Sequence, residues 1–407
     1  MERAPFVRHW ALGLLTIAAV LAGFNCLMDP YLVLGMPRIG SFNARKPSVY
    51  AREALIKTYD VLRARPRTLI LGASRVDFGI DALQPTWPIA ARPVYNLAVR
   101  GASPYMSYQY LQYVLSRQPL TRVVLALDFE YFLADAEPRT SSDPDFERRL
   151  SNPRDSQASF EIETQHLKDL LASVLSLDSL SDSAATLLAN FNSTSWNLVA
   201  GNVEPDRRVG AAVFGSQALF SWTDLYAIEQ YRGKRIDPRV MDDVRAILDL
   251  CRSHDIETIL FIDPTHADML EIYDLLGYWN LFERWKRELV TLTATYGGSQ
   301  GRPVPLWDFS AYDPYSTESI GGQLPGVHWY RESFHYTRAL GARVVRDLFG
   351  ASDHRIGVLL TPQSVDANLE VIRAQQRRYR TEHRADAQRI RQLYEIVMRH
   401  RAATLNP

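Results

Sequence analysis

The chain has 407 residues, more than one compact domain usually needs, and its 46 Lys plus Arg are matched by 46 Asp plus Glu. That balance removes any global electrostatic case for a nucleic-acid partner. Two cysteines, Cys26 and Cys251, cannot make a disulfide framework and are silent on compartment.

Residues 10–28, WALGLLTIAAVLAGFNCLM, are uncharged and as a helix would reach about 28 Å, the thickness of a bilayer's hydrocarbon. No small-x-small cleavage pattern follows, so the run reads as an uncleaved transmembrane anchor behind a short tail at 1–9. A buried N-terminal core helix is the competing reading. Arg3 and Arg8 precede the run and Arg38, Arg45 and Lys46 follow it, a weak charge bias, but long domains translocate regardless. The expected topology is single-pass, with the bulk of the chain outside the cytoplasmic membrane.

Scattered Pro and Gly make 29–50 read as a tether, with helical patterning from 48 to 63. Near-continuous apolar runs then recur at 68–71, 94–99, 122–129, 257–262 and 304–309, as in strands covered on both faces of a parallel sheet. Helical segments at 104–116, 238–254, 268–293 and 337–348 alternate with them. The pattern predicts an α/β domain over 51–134 and 238–350. The third and fourth runs are too far apart for one crossover, so 135–237 is expected to be a helical insertion or cap. The tail at 351–407 holds an Arg-rich helix with a discontinuous apolar stripe. It has two readings: a solvated or coiled-coil segment that meets a protein partner, and a basic helix lying on anionic membrane or polysaccharide.

The sharpest local feature is LILGASRVDFGID at 69–81, a strand running into a turn at the sheet edge where ligands bind. Glycine allows the tight turn, and Ser74 just beyond it would expose its hydroxyl with its own N–H facing a developing oxyanion. A plain helix N-cap is the alternative role for Ser74. YNLAVRGASPY at 95–105 repeats the strand-then-glycine pattern, so Gly101 could add a second N–H. HWYRESFHYT at 328–337 precedes the last helix, and there His335 could deprotonate Ser74 while Glu332 orients the imidazole. His328, in the same loop, is an alternative base. DPTHADML at 263–270 puts Asp263 and His266 on the same sheet edge. Two ligands do not close a zinc shell, so the expectation there is substrate contact or helix capping rather than metal. Trp329, with Trp279, Trp285 and Trp307, could line a sugar cleft or fill core. A nucleophile elbow is disfavoured because Val76 stands where it needs Gly, and no Walker or dinucleotide fingerprint appears, so no cofactor is expected.

On these motifs the sequence resembles the SGNH (GDSL-like) hydrolase superfamily, and more closely its membrane-anchored members encoded with bacterial exopolysaccharide systems, such as the alginate acetylation proteins. The resemblance covers roughly 65–135 and 255–350. It implies a flavodoxin-like three-layer sandwich with a five-stranded parallel sheet in the order 2-1-3-4-5. Ser74 becomes the nucleophile, Gly101 an oxyanion donor and His335 the base, with Glu332 where the family usually has Asp. The family's third-block Asn is missing, for the third strand ends LALDFEYF with Asp128 and Glu130. Arg75 and Asn96 are the candidates to replace it, a surface ion pair and a strand-end turn residue being their structural readings. The resemblance implies a serine-dependent O-acyltransferase or esterase acting on a cell-envelope or secreted polysaccharide at the inner membrane. The alternative is an inactive SGNH-fold protein that binds glycan or scaffolds a biosynthetic complex.

Overall fold

The computed structural model describes residues 3–133, 143–150, 156–192, 195–205, 217–296, 303–320, 329–350 and 354–405. They contain strands β1 (Thr68–Leu71), β2 (Val94–Asn96), β3 (Arg122–Leu127), β4 (Trp196–Val199), β5 (Asn202–Pro205), β6 (Glu257–Ile262), β7 (Leu306–Asp308) and β8 (Val358–Leu360). The chain divides into two units: residues 1–65 with 142–210, and residues 66–141 with 211–407.

The first unit opens with a helix, Arg3–Met28, of which Phe6–Met28 is long and apolar enough to cross a membrane. A helix leaves its last carbonyls without partners. Here Asn43 Nδ2 donates to Leu27 O at 2.7 Å and Lys46 Nζ to Met28 O at 2.6 Å, and a cation at this end is also favoured by the helix dipole. The stretch expected as a tether is therefore folded. Asp29, at φ 39°, turns the chain and accepts from the N–H groups of Leu34 and Met36. Tyr31, Leu32, Val49 and Ile56 bury against Leu198 and Val203 of the antiparallel pair β4–β5, because the apolar residues between the prolines and glycines need cover. The helix expected from residue 48 begins later: Pro47–Tyr50 is a 3-10 turn and the α-helix runs Glu53–Ala64. Residues 142–210, read from sequence as part of a cap, belong to this unit, whereas 211–237 belong to the other.

The second unit is α/β, built on a six-stranded sheet in the order β2-β1-β3-β6-β7-β8. The first five strands run parallel and β8 pairs antiparallel with β7. β1, β2 and β7 are buried throughout, which is why their sequences show no alternation. Helices Pro104–Leu115 and Pro238–Ser253 pack on each other. Each starts with a side-chain cap followed by proline: Ser103 accepts from Met106 N, and Asp237 from Arg239 N.

The tail is folded onto the α/β unit along one face. After β8 it forms two helices, Val365–Glu382 and Arg384–Leu405, which pack onto Trp279–Thr295, Ala267–Leu275 and Gln217–Tyr231. Leu369, Ile372, Tyr379, Ile390 and Val397 are buried. The arginines meet carboxylates of the same unit: Arg373 Nε lies 2.6 Å from Glu283, Arg380 Nε 2.9 Å from Glu271 and Arg389 Nη1 2.7 Å from Asp224. Arg377, Arg384, Arg391 and Arg399 remain exposed on the outer face of the two helices.

Candidate active site

β1 is followed by Gly72, where a side chain would press within 2.9 Å of Val76 Cγ2 and 3.1 Å of Ala126 Cβ. Ala73 then takes the N-cap position and the short helix Ser74–Gly79 begins. Ser74 itself is thus the first helical residue and not the cap.

His335 reaches this turn from a loop closed on itself. Tyr330 and Tyr336 form a β-bridge, the N–H of Arg331 donates to His335 O at 2.7 Å, and that of Thr337 to Trp329 O at 2.8 Å. His335 Nε2 lies 2.8 Å from Ser74 Oγ, and Nδ1 is bonded to Glu332 Oε1. Glu332, 1% exposed, also accepts from the backbone N–H of Phe334 at 2.7 Å and of His335 at 3.1 Å. Burial works against its carboxylate, but the imidazole and these N–H groups outweigh burial and hold its pKa below the ordinary value. The edge of Phe78 packs on the imidazole, with 5.3 Å between ring centroids. With Nδ1–H directed at Glu332, Nε2 is free to accept the Ser74 proton.

Two glycines allow this approach. The last helix before the tail, Arg338–Leu348, rests on Ser74–Gly79, and a Cβ at Gly341 would lie 1.9 Å from Gly79 O. A Cβ at Gly79 would run into the Tyr336 ring at 2.0 Å. Gly341→Ala must therefore push the two helices apart against backbone that cannot yield. Because a misplacement of about 1 Å can cost 10²-fold, this variant is expected to slow any reaction of Ser74 by about that factor, read as a labelling rate against wild type.

Of the expected oxyanion donors, two are committed elsewhere. Asn96 is buried and gives both amide protons to backbone, Val76 O at 3.0 Å and Ile80 O at 2.9 Å, while its carbonyl accepts from Ala98 N. It braces the Ser74 helix from β2 because a strand-end amide satisfies several buried backbone groups at once. Arg75 is not on the surface: it is 1% exposed, pairs with Asp128 at 3.1 Å and with Glu130, and lies over the Phe334 ring at 4.4 Å. Gly101 has φ 74° in a loop tied to the first turn by Val99 N donating to Gly72 O at 3.2 Å. A void of about 10 Å³, no larger than one water, is walled by Gly72, Ala73, Ala102 and Asp128 among others. The backbone N–H groups of Ser74 and Gly101 make no hydrogen bond among the described residues, which leaves both available.

The expected substrate contacts fare differently. Asp263 has no exposed surface and accepts from Tyr336 OH at 2.8 Å. His266, 2% exposed, caps the helix Ala267–Leu275: Nδ1 accepts from Asp268 N at 3.1 Å and Nε2 donates to Glu318 O at 2.9 Å. Neither can touch a glycan, since both are buried inside the fold. Trp329 is half-buried against Tyr315, with the Arg343 guanidinium 5.2 Å from its ring. Trp285 packs on Phe129, Phe132 and Phe282 and Trp307 on Phe309, both buried, although Trp285 also backs a cavity of about 690 Å³ lined by Phe132, Met241 and Leu292. His328 lies outside the described residues. Among the described residues no group of three or more His, Cys, Asp or Glu is arranged to hold a metal ion.

Sequence reasoning missed the buried charge cluster behind the turn. Arg75 joins the carboxyls at the ends of β3 and β6: Asp128, Glu130 and Asp263, with Tyr273 OH donating to Glu130. Burial, opposed by Arg75, pushes Asp128 up to about 6. Burial and the neighbouring Asp128 charge hold Asp263 well above the usual carboxylate range, as expected of two carboxyls sharing a proton. The available signal was register: Leu127 pairs with Ile262, so Asp128 and Asp263 follow directly at one edge.

No protein-family model matches the chain, and no curated protein is significantly similar to it.

Proposed function

We propose that this protein is a membrane-anchored serine acyltransferase or esterase of the SGNH type, its sheet a flavodoxin-like core with β8 added, acting outside the cytoplasmic membrane on esters of a polysaccharide. The observation that supports the reading is the alignment Ser74–His335–Glu332, with 2.8 Å between Ser74 Oγ and His335 Nε2 and the opposite ring nitrogen on a buried carboxylate. Ser74 Oγ attacks the ester carbonyl carbon as His335 Nε2 takes its proton, and Glu332 stabilises the imidazolium. The N–H groups of Ser74 and Gly101 are the donors proposed for the oxyanion. Collapse of the tetrahedral adduct breaks the ester C–O bond, and the departing alkoxide takes the proton from His335. Water or a sugar hydroxyl then gives its proton to His335 and attacks the acyl-Ser74 carbonyl; the C–Oγ bond breaks, Ser74 Oγ takes the proton back from His335, and the acid or a new ester is released.

One observation favours the second reading, a glycan-binding or scaffold protein: the end of β3 presents Asp128 where a side-chain amide would complete the oxyanion site, and Arg75 and Asn96 are occupied. The deciding experiment is treatment of the full chain, purified in mild detergent, with a fluorophosphonate probe. Wild type is expected to label on Ser74 and Ser74→Ala not at all. A folded wild type that takes up no label overturns the enzyme reading in favour of the scaffold.

A further inference from the structure

In the first unit the helices Ser156–Leu175 and Leu177–Asn192 are amphipathic in the inverted sense. A helix on the surface of a water-soluble fold buries its apolar stripe. Here the inward stripe of the first helix is polar, Gln165, Asp169 and Ser173 at successive turns, and that of the second is Ser179, Ser183, Thr186 and Asn190. Most of these side chains have partners inside the unit, though the Ser183 hydroxyl has none among the described residues. Arg149 clamps Asp169 through Nε at 2.6 Å and Nη2 at 3.0 Å, Tyr59 OH donates to Asp169 at 2.6 Å, and Asn190 bonds both the N–H and the C=O of Arg45. The outward face carries Leu167, Leu171, Leu175, Leu177, Leu188 and Phe191, with Leu175 62% and Leu177 78% exposed, and Glu163, Lys168 and Asp178 are exposed charges beside them.

The location of this face identifies its cover. Asn25, in the last turn of the apolar helix Arg3–Met28, donates to Val174 O at 3.0 Å, one residue before Leu175. That helix packs along both members of the pair. Between Lys168 and Asp178 the only charged residue is Asp169, which is turned inward. An uncharged leucine-rich turn therefore adjoins the end of a membrane-length helix, and an isolated apolar patch of this kind in water is uncommon.

We propose that the outer face of the helix pair, centred on Leu171, Leu175 and Leu177, inserts into the lipid leaflet from which the N-terminal helix emerges. The inference rests on reading Arg3–Met28 as a membrane span. The pair then lies at the headgroup boundary with its leucines about 5–10 Å deep, as interfacial helices do, and fixes the first unit to the membrane surface in one orientation.

The test uses the full chain with Cys26→Ser and Cys251→Ser, carrying one cysteine at Leu175, Leu177 or, as reference, Leu15, labelled with an environment-sensitive fluorophore and reconstituted into phosphatidylcholine vesicles. All three leucines are exposed, so labelling does not disturb a core. Labels at 175 and 177 are expected to lose most of their emission to brominated lipid and little to aqueous iodide. If the label at 15 is quenched by the lipid and those at 175 and 177 by iodide, the face lies in water and the proposal is overturned. If they are shielded from both quenchers, a protein or a second copy of the chain covers the face, which also overturns it. A label at 15 that brominated lipid does not reach refutes the membrane span instead.

Discussion

Replacing His335 with alanine is expected to slow fluorophosphonate modification of Ser74 by about 10⁴-fold or more, because knocking out the base of such a triad costs nearly as much as removing the nucleophile. The expectation follows from geometry: His335 Nε2 is the only described acceptor at Ser74 Oγ, and the ring is held there by Glu332 and Phe78. Glu332→Gln is expected to be about a hundredfold less severe. A glutamine must turn its NH₂ toward one of the N–H groups that Glu332 accepts, that of Phe334 or that of His335. One orientation still offers an oxygen to Nδ1, while the other forces the tautomer in which Nε2 carries the proton and cannot accept it from Ser74. Second-order labelling rates, with circular dichroism to establish folding, give the ranking. A folded His335→Ala protein that labels at the wild-type rate would sink the proposed mechanism.

The residues of that triad are legible in sequence because each belongs to a segment whose place in a parallel sheet is constrained. Ser74 follows a buried strand, and His335 sits two residues before the helix that closes the sheet. Strand ends of a parallel sheet converge on one edge whatever the intervening chain does. Assignments that depend on distant partners are not legible in this way. Arg75 reads as a surface cation until Asp128 and Glu130 are brought to it, and Arg373, Arg380 and Arg389 of the tail read as solvated until Glu283, Glu271 and Asp224 are found opposite them. The fold of residues 29–50 escaped for the same reason, since Tyr31 and Leu32 find their cover more than 160 residues away at Leu198 and Val203. The helices of 156–192 fall in a stretch expected only as a helical insertion or cap, which does not tell which stripe faces inward. Asp169 becomes the inside only once Arg149 and Tyr59 are brought to it.

Arg75→Met is expected to be the most destabilising single change in the α/β unit. It removes the guanidinium from two carboxyls that are themselves almost unexposed, and breaking a buried pair from one side typically costs about 3–5 kcal/mol. The size of the loss should depend on pH, with a sign set by the carboxyls. Asp128 and Asp263 have folded pKa values above the ordinary carboxylate value, Asp128 at about 6, so the folded state holds more protons than the unfolded state between about 4 and 6. Their contribution to stability is complete below the unfolded pKa and is lost as pH rises through the folded values. Arg75 is what limits the rise at Asp128. Without it Asp128 moves higher still, and the variant continues to lose stability above the pH at which wild type has levelled. The gap between Arg75→Met and wild type is therefore expected to be small near about pH 5 and widest near about pH 8, measured by urea unfolding of the full chain in mild detergent. Adding Glu130→Gln, which keeps an acceptor for Tyr273 OH but removes one orphaned charge, should recover part of the loss at the higher pH. An equal deficit at both values would mean that Arg75 acts through its packing on Phe334 and not through the carboxyls. Because Phe334 lies beside His335, that outcome would transfer the stability argument to the site, with the guanidinium holding the base in line with Ser74.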